Sequence, residues 1–306
     1  MRNDLQSSRP AISELWQSLS TTLFANIDDE FINSFRRPGG ANARLGVWDP
    51  ADRSMRYFKF MLYMAAMSQP KQFFRYYRKI ANVNIGSPIS VTVNSCSINL
   101  DYLLSVQEQL FLEKAGAADK SRSIIEIGAG FGRTCHTLLS LNDKIGSYTI
   151  IDLPNMLELS RRVLLLAIPK LFYKIQFVDA TNINAWRGMT ADLVINIDSF
   201  QEISAAAIDA YMNNLVAHCK SLYTKNPIAK YDPTCIGITL ERQSDLEVFS
   251  LGYCRDVIDV FDEQTLIKHR CNYVAAYRPS ESWSVVADEP CRVFQYYHHA
   301  LYRRSL

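Results

Sequence analysis

The chain has 306 residues, 48% of them apolar and 21% charged, with a formal net charge of +2 and a pI near 8.1. This composition excludes a disordered chain, and the charge is too mild to imply a nucleic-acid partner, although Arg36-Arg37 and Arg303-Arg304 form local basic pairs. The opening MRNDLQSSRP lacks an apolar core of signal-peptide length, and the greasiest stretch, Met55 to Met67, is interrupted by Arg56 and Lys59, so a cytoplasmic protein with no membrane span is expected.

Residues 1 to about 110 read as mainly helical. Ala11 to Phe24 and Asp28 to Phe35 carry apolar residues at three- and four-residue spacing, Pro38-Gly39-Gly40 breaks the chain, and Met55 to Met67 reads as a buried helix. In QFFRYYRKI (Gln72 to Ile80) aromatics alternate with Arg and Lys; stacking on bases or sugars is one reading, a packed face with snorkelling cations the stronger. After the break at Gly86-Ser87-Pro88, Ile89 to Val93 is strand-like, and Ile98 to Ala115 resumes helical periodicity with Asn99 and Asp101 as candidate caps. Residues 1–110 are thus expected to form a helical cap that supplies acceptor contacts, a homodimer interface or both, ahead of a domain at 111–306.

From residue 123 strand and helix patterns alternate, with strands expected at 123–127, 148–152, 174–179 and 191–197 and helices at about 131–141, 155–167 and 203–219. That alternation predicts an α/β fold, a Rossmann-like parallel sheet with helices on both faces. Toward the end, RVFQYYHHALY reads as another strand, and its His298-His299 pair reads as structural. Seven cysteines, scattered and without C-x-x-C, suit reduced thiols, and no His/Cys/carboxylate spacing suggests a metal site.

The stretch SIIEIGAGFGRTCHTLL (Ser123 to Leu139) joins the first of these strands to a helix through Gly128, Ala129, Gly130 and Gly132, with Glu126 just before the turn. Glycines there tolerate positive φ and let a ligand approach the backbone. The spacing E-x-G-x-G-x-G differs from the G-x-G-x-x-G of a dinucleotide site, and no Tyr-x-x-x-Lys pair stands where an NAD-dependent short-chain enzyme needs one. Asp152 closes the second strand, followed by Leu153, and Asp179 and Ala180 close the third. The fourth delivers Asn196, Asp198, Ser199, Gln201 and Glu202 to the same edge. Each acid read alone could be a turn or cap residue.

The spaced acid before G-x-G-x-G resembles the first motif of class I S-adenosylmethionine (SAM)-dependent methyltransferases. With YTIIDLP, INIDSFQEI and the following AYMNNL and TKN, residues 85 to 226 resemble bacterial sugar O-methyltransferases of polysaccharide and natural-product gene clusters. The resemblance implies a SAM cofactor, a small hydroxylated acceptor and methylation of its hydroxyl. It implies that Glu126 and the glycines meet the methionine part of SAM. Asp152 would then accept from the ribose hydroxyls, Asp179 would reach the adenine beside Ala180, and Asn196 would stand at the cofactor's edge. The chain departs from the family's pattern in having Ile203 where Met is usual after Glu202. Glu202 is the first candidate for general base and Asp198 the second, with His269 a remote third. Against Glu202 stands the reading in which it caps a helix, whose N-terminus would hold it ionised. The rivals to an enzyme are a SAM-binding protein without a base and an NAD-dependent oxidoreductase.

Overall fold

The computed structural model of the protein describes residues 18, 20–22, 24–34, 54–239 and 247–305. Two compact units divide the chain, Met1–Met64 and Ala65–Leu306. In the first, α1 (Asp29–Ser34) starts where the Asp28 carboxylate accepts from the Phe31 amide at 2.8 Å. Most of the expected Ala11–Phe24 helix and the Pro38-Gly39-Gly40 break lie outside the described residues. Helix α2 (Ser54–Met67) forms where expected but is not buried. Only Leu62 and Ala66, four apart on one face, are fully enclosed, while Met64 is 66% exposed. Its apolar residues run all round the helix, so no single packed stripe can hide them.

In the second unit, α3 (Lys71–Tyr77) turns Phe73, Phe74 and Tyr77 inward, which makes the aromatic-basic stretch a packed face. A hairpin follows, β1 (Ser90–Val93) with β2 (Cys96–Asn99), closed by Asn94-Ser95, both at positive φ. The β2 strand takes residues that helical periodicity had claimed from Ile98 onward, because the tight turn brings them back onto β1. Asn99, one of the two expected caps, starts α4 (Leu100–Lys114) by accepting from the Tyr102 amide at 3.0 Å.

The chain then alternates: β3 (Ser123–Ile127), α5 (Arg133–Leu141), β4 (Ser147–Asp152), α6 (Pro154–Ala167), β5 (Ile175–Asp179), α7 (Ile183–Trp186), β6 (Leu193–Ile197), α8 (Ala205–Asn214) and β7 (Ser221–Pro227). A short pair, β8 (Lys230–Tyr231) and β9 (Val257–Ile258), precedes α9 (Glu263–Ala276), and β10 (Trp283–Pro290) and β11 (Tyr297–Arg304) close the fold. The main sheet has seven strands in the order β10-β11-β7-β6-β3-β4-β5. Strands β3 to β7 are parallel, and β11 runs antiparallel between β7 and β10. The expected Rossmann-like α/β fold is therefore present.

Alternating side chains supply two cores, one on each face. Ile125, Ile127, Val194 and Leu222 pack with Ile208, Leu266 and Tyr273 on one face. On the other, Ile124, Ile150, Leu193 and Ile195 pack with Phe111, Leu138 and Leu164. The strand order turns back at β3, whose neighbours are β4 on one side and β6 on the other. A crevice outside the strands' carboxyl ends therefore opens there, and the glycine turn falls at its base.

Candidate functional site

The glycines of the turn are there for three different reasons. All have positive φ: 72° at Gly128, 58° at Gly130 and 89° at Gly132. A Cβ on Gly128 would lie 2.2 Å from Ser199 Oγ, and one on Gly132 would lie 2.8 Å from Leu164 Cδ1. Gly128 lets the β6 rim close over the turn, and Gly132 lets α6 pack beside the start of α5. At Gly130 a Cβ would meet nothing within 4 Å, so this glycine alone borders open space.

Asp152 is buried at the end of β4, and its carboxylate organises the turn. Oδ2 accepts from the Gly130 amide at 2.9 Å and Oδ1 from the Leu153 amide at 2.8 Å. The helix-cap reading of this acid does not hold. Leu153 is the N-cap residue of α6, and that helix has no side-chain cap. Each oxygen keeps a lone pair for a further donor. Asp179 stands beside Asp152 in parallel register, its Oδ1 taking the Thr181 amide and hydroxyl at 2.8 and 2.7 Å. Ala129 is buried in the turn and its carbonyl accepts from the Gly132 amide, while Leu153 is exposed at the rim. Ala180 donates its amide to the Asp152 carbonyl and accepts from the Trp186 indole.

Asn196 is fully buried, and its amide ties strands together instead of facing outward. Nδ2 donates to the Ile127 carbonyl at 3.1 Å and to Ser199 Oγ at 2.6 Å, while Oδ1 accepts from Asn226 Nδ2 at 3.0 Å. It pins the carboxyl ends of β3, β6 and β7 to one another, and through Ser199 it sets the rim against Gly128.

The two candidate bases leave the end of β6 in different surroundings. Asp198 has a φ of 63°, a left-handed conformation that a residue with Cβ adopts at a cost and that functional sites retain. Its Oδ1 accepts from the Tyr297 hydroxyl at 2.7 Å and from the Gln201 amide, while Oδ2 has no partner among the described residues. The residue stands at an exposed corner, but its carboxyl is tucked against Tyr297, and burial raises its pKa against the lowering effect of Tyr297 and Lys225. Glu202 ends a short turn, Phe200–Glu202, and α8 starts only at Ala205, capped by Ser204. The expectation that a helix N-terminus holds Glu202 ionised is therefore corrected. Burial first, and Asp198 second, raise its pKa. His269 lies in α9, with Nδ1 2.9 Å from the Thr265 carbonyl oxygen and Nε2 3.6 Å from Asp256.

Beneath the site lies an ion cluster that local sequence patterns did not reveal. Glu108 of α4, 1% exposed, takes a bidentate Arg133 at 3.0 and 3.1 Å and Lys225 of β7 at 2.8 Å. Burial works to raise the Glu108 pKa, but the two cations outweigh it and the pKa is lowered. Arg133 follows Gly132 directly, so the cluster ties the helix after the glycine turn to α4 and to the sheet. The only local signals were Arg133 after the glycines and Lys225 in TKN; Glu108 had none, because its partners are 25 and 117 residues away. Tyr297 was equally hidden, since its partner Asp198 is 99 residues away.

No protein-family model and no curated protein matches the chain. Among solved structures, it is similar to an O-methyltransferase family protein from Burkholderia thailandensis, with 14% identity over 67% of this chain and a TM-score of 0.42; the match spans 58% of that protein's length. It is similar to the mitomycin 7-O-methyltransferase MmcR, at 14% identity over 77% of this chain and 67% of that one, with a TM-score of 0.43. It is also similar to the glycopeptide N-methyltransferase MtfA in complex with SAM, at 13% identity over 66% of this chain and 87% of that one, with a TM-score of 0.42. With TM-scores below 0.5, these likenesses carry neither an acceptor nor a cofactor over to this chain. Among the described residues no helix is long and apolar enough to cross a membrane, and no three metal-ligating side chains cluster.

Proposed function

We propose that this protein is a SAM-dependent O-methyltransferase acting on a hydroxyl of a small molecule, of the class of sugars or glycosylated natural-product intermediates. The observation that carries the reading is the glycine turn at the point where the strand order reverses. It has open space only at Gly130 and paired strand-end acids, Asp152 and Asp179, beside it. These hydrogen-bond acceptors suit an adenosyl ligand that brings positive charge. Asp152 keeps lone pairs for ribose hydroxyls, and Asp179 sits one strand further out for the base.

SAM would supply a methyl group on a sulfonium already primed to leave. The chain would bind it, align the acceptor oxygen behind the methyl carbon and take the hydroxyl proton. Alignment alone can account for several kcal/mol of the barrier. For the proton, Asp198 is the better placed of the two candidates. Tyr297 and Gln201 hold one carboxylate oxygen and leave the other free, whereas no hydrogen bond orients the Glu202 carboxylate among the described residues.

Calorimetry tests the reading. S-adenosylhomocysteine (SAH) should bind the purified protein and NAD should not, and Asp152→Ala should lose SAH affinity by about 1.5–3 kcal/mol for each charged hydrogen bond removed. Preferential NAD binding by the parent, or unchanged SAH affinity in that variant, would overturn the cofactor assignment. Radiolabel transfer from SAM to a panel of sugars and phenols, with and without EDTA, then tests O-methylation and the expectation that no metal is needed.

A further inference from the structure

A cavity of about 410 Å³ lies between α3, α4 and the β10–β11 edge of the sheet, within the range of about 300–1,000 Å³ usual for small-molecule sites. It shares no lining residue with the glycine turn or the strand-end acids. By strand order, Glu289 of β10 stands five strands from Asp152 of β4, about 24 Å at the usual spacing. The cavity is therefore separate from the cofactor crevice, and a ligand there does not depend on the cofactor reading.

The wall of this cavity is short of hydrogen-bond donors. Gln69 Nε2 donates to the Ala65 carbonyl at 2.7 Å, which fixes the Gln69 oxygen as the acceptor for Gln107 Nε2 at 3.1 Å. That relay leaves Gln107 Oε1 buried without a hydrogen-bond partner, on a residue only 8% exposed. A buried amide oxygen in this position is costly until a donor reaches it. Glu113 Oε2 takes the Tyr76 hydroxyl at 2.6 Å and Gln72 Nε2 at 3.0 Å, while Glu113 Oε1 and Gln72 Oε1 have no partner among the described residues. Charge does not select an ion. Glu113 and Glu289 are balanced by Lys114 and Arg292, Lys114 and Glu289 pair at 2.6 Å between α4 and β10, and burial keeps His299 neutral. Pro70, Leu110 and Pro290 supply apolar wall.

We propose that this cavity is a binding site for a neutral saccharide of one or two rings. Its hydroxyls donate to Gln107 Oε1, Gln72 Oε1 and Glu113 Oε1, and its C–H faces lie against the apolar wall. A polyol carries several donors on one small uncharged body, which is what three acceptors in a charge-balanced cavity require.

Saturation-transfer NMR on the whole protein with glucose, galactose, rhamnose, maltose and sucrose at millimolar concentration tests the assignment. At least one should bind, with the same affinity whether or not SAH is present, and glucuronate and glucosamine, the anionic and cationic counterparts, should bind no better. Gln107→Leu should weaken binding about tenfold. Leu110→Trp, which fills the cavity and leaves its hydrogen bonds in place, should abolish binding and gives the same test if Gln107→Leu does not fold. Absence of binding by all five sugars would leave the cavity to water and refute the proposal. So would preference for either charged sugar, binding that survives both substitutions, or binding that appears only with SAH, which would make the sugar an acceptor in the crevice.

Discussion

Replacing Glu108 by Gln should destabilise the protein far more than replacing Lys225 by Met, although both remove one member of the same buried cluster. Glu108 is the single anion between two cations, all three largely enclosed: the side chains of Glu108, Lys225 and Arg133 are 1%, 3% and 16% exposed. Lys225→Met leaves the bidentate Arg133–Glu108 pair intact and charge-balanced, and a buried ion exchanged for an apolar side chain of similar volume is often neutral, so a change within about 1 kcal/mol is expected. Glu108→Gln leaves two cations facing each other without a counter-ion. Breaking a buried pair from one side costs about 3–5 kcal/mol, and the mutual repulsion of Arg133 and Lys225 places this variant at the upper end. The lowered pKa of Glu108 sets the sign with pH: its contribution is present at neutral pH and is lost as pH falls through the folded-state value. Urea unfolding at pH 7.5, followed by tryptophan fluorescence with m-values compared, measures both variants. A Glu108→Gln loss below about 1 kcal/mol, or no larger than that of Lys225→Met, would refute the reasoning.

The glycines should separate by reason. Gly128→Ala must displace Ser199 and should destabilise the fold by more than the roughly 1–3 kcal/mol of backbone strain alone, whereas Gly130→Ala should cost only the strain yet still lose SAH affinity; urea unfolding and calorimetry on both variants decide it. On an acceptor identified by label transfer, Asp198→Asn should abolish most turnover with SAH affinity retained, and Glu202→Gln should keep most of it; the reverse order would return the role of base to Glu202. Because the Glu126 pKa is raised to about 7, the folded protein holds more protons than the unfolded chain between about pH 4.5 and 7. Ligand-free stability should therefore fall by about 3 kcal/mol across that window from this group, and a pH series of unfolding midpoints should lose that slope in Glu126→Gln.

The alternation of β-branched runs with helical periods from residue 123 was enough to specify a parallel sheet, because strands covered on both faces and the helices that cover them each have a local signature. The glycine turn and the acids at the strand ends were legible for the same reason. Left-handed backbone demands glycine, and a strand's last residue is set by its own boundary. β7 was missed because TKNP hardly resembles a buried strand until Lys225 has Glu108 to neutralise it and Asn226 has Asn196. Helix α2 was misjudged as buried because composition alone does not reveal what, if anything, lies against a helix.

The roles of the site residues depended on partners far apart in the chain. Nothing near Asn196 marks it as a tie between three strands, and nothing near Asp152 shows that it holds the Gly130 amide. Tyr297 sets the surroundings of Asp198 apart from those of Glu202, and it reaches Asp198 only because β11 inserts antiparallel beside β7. Local sequence determined which residues reach the carboxyl edge of the sheet, since backbone propensity and periodicity act over a few residues. Tertiary structure decided which of them are paired, buried or free, because desolvation and Coulomb interactions depend on distance in space and are indifferent to separation along the chain.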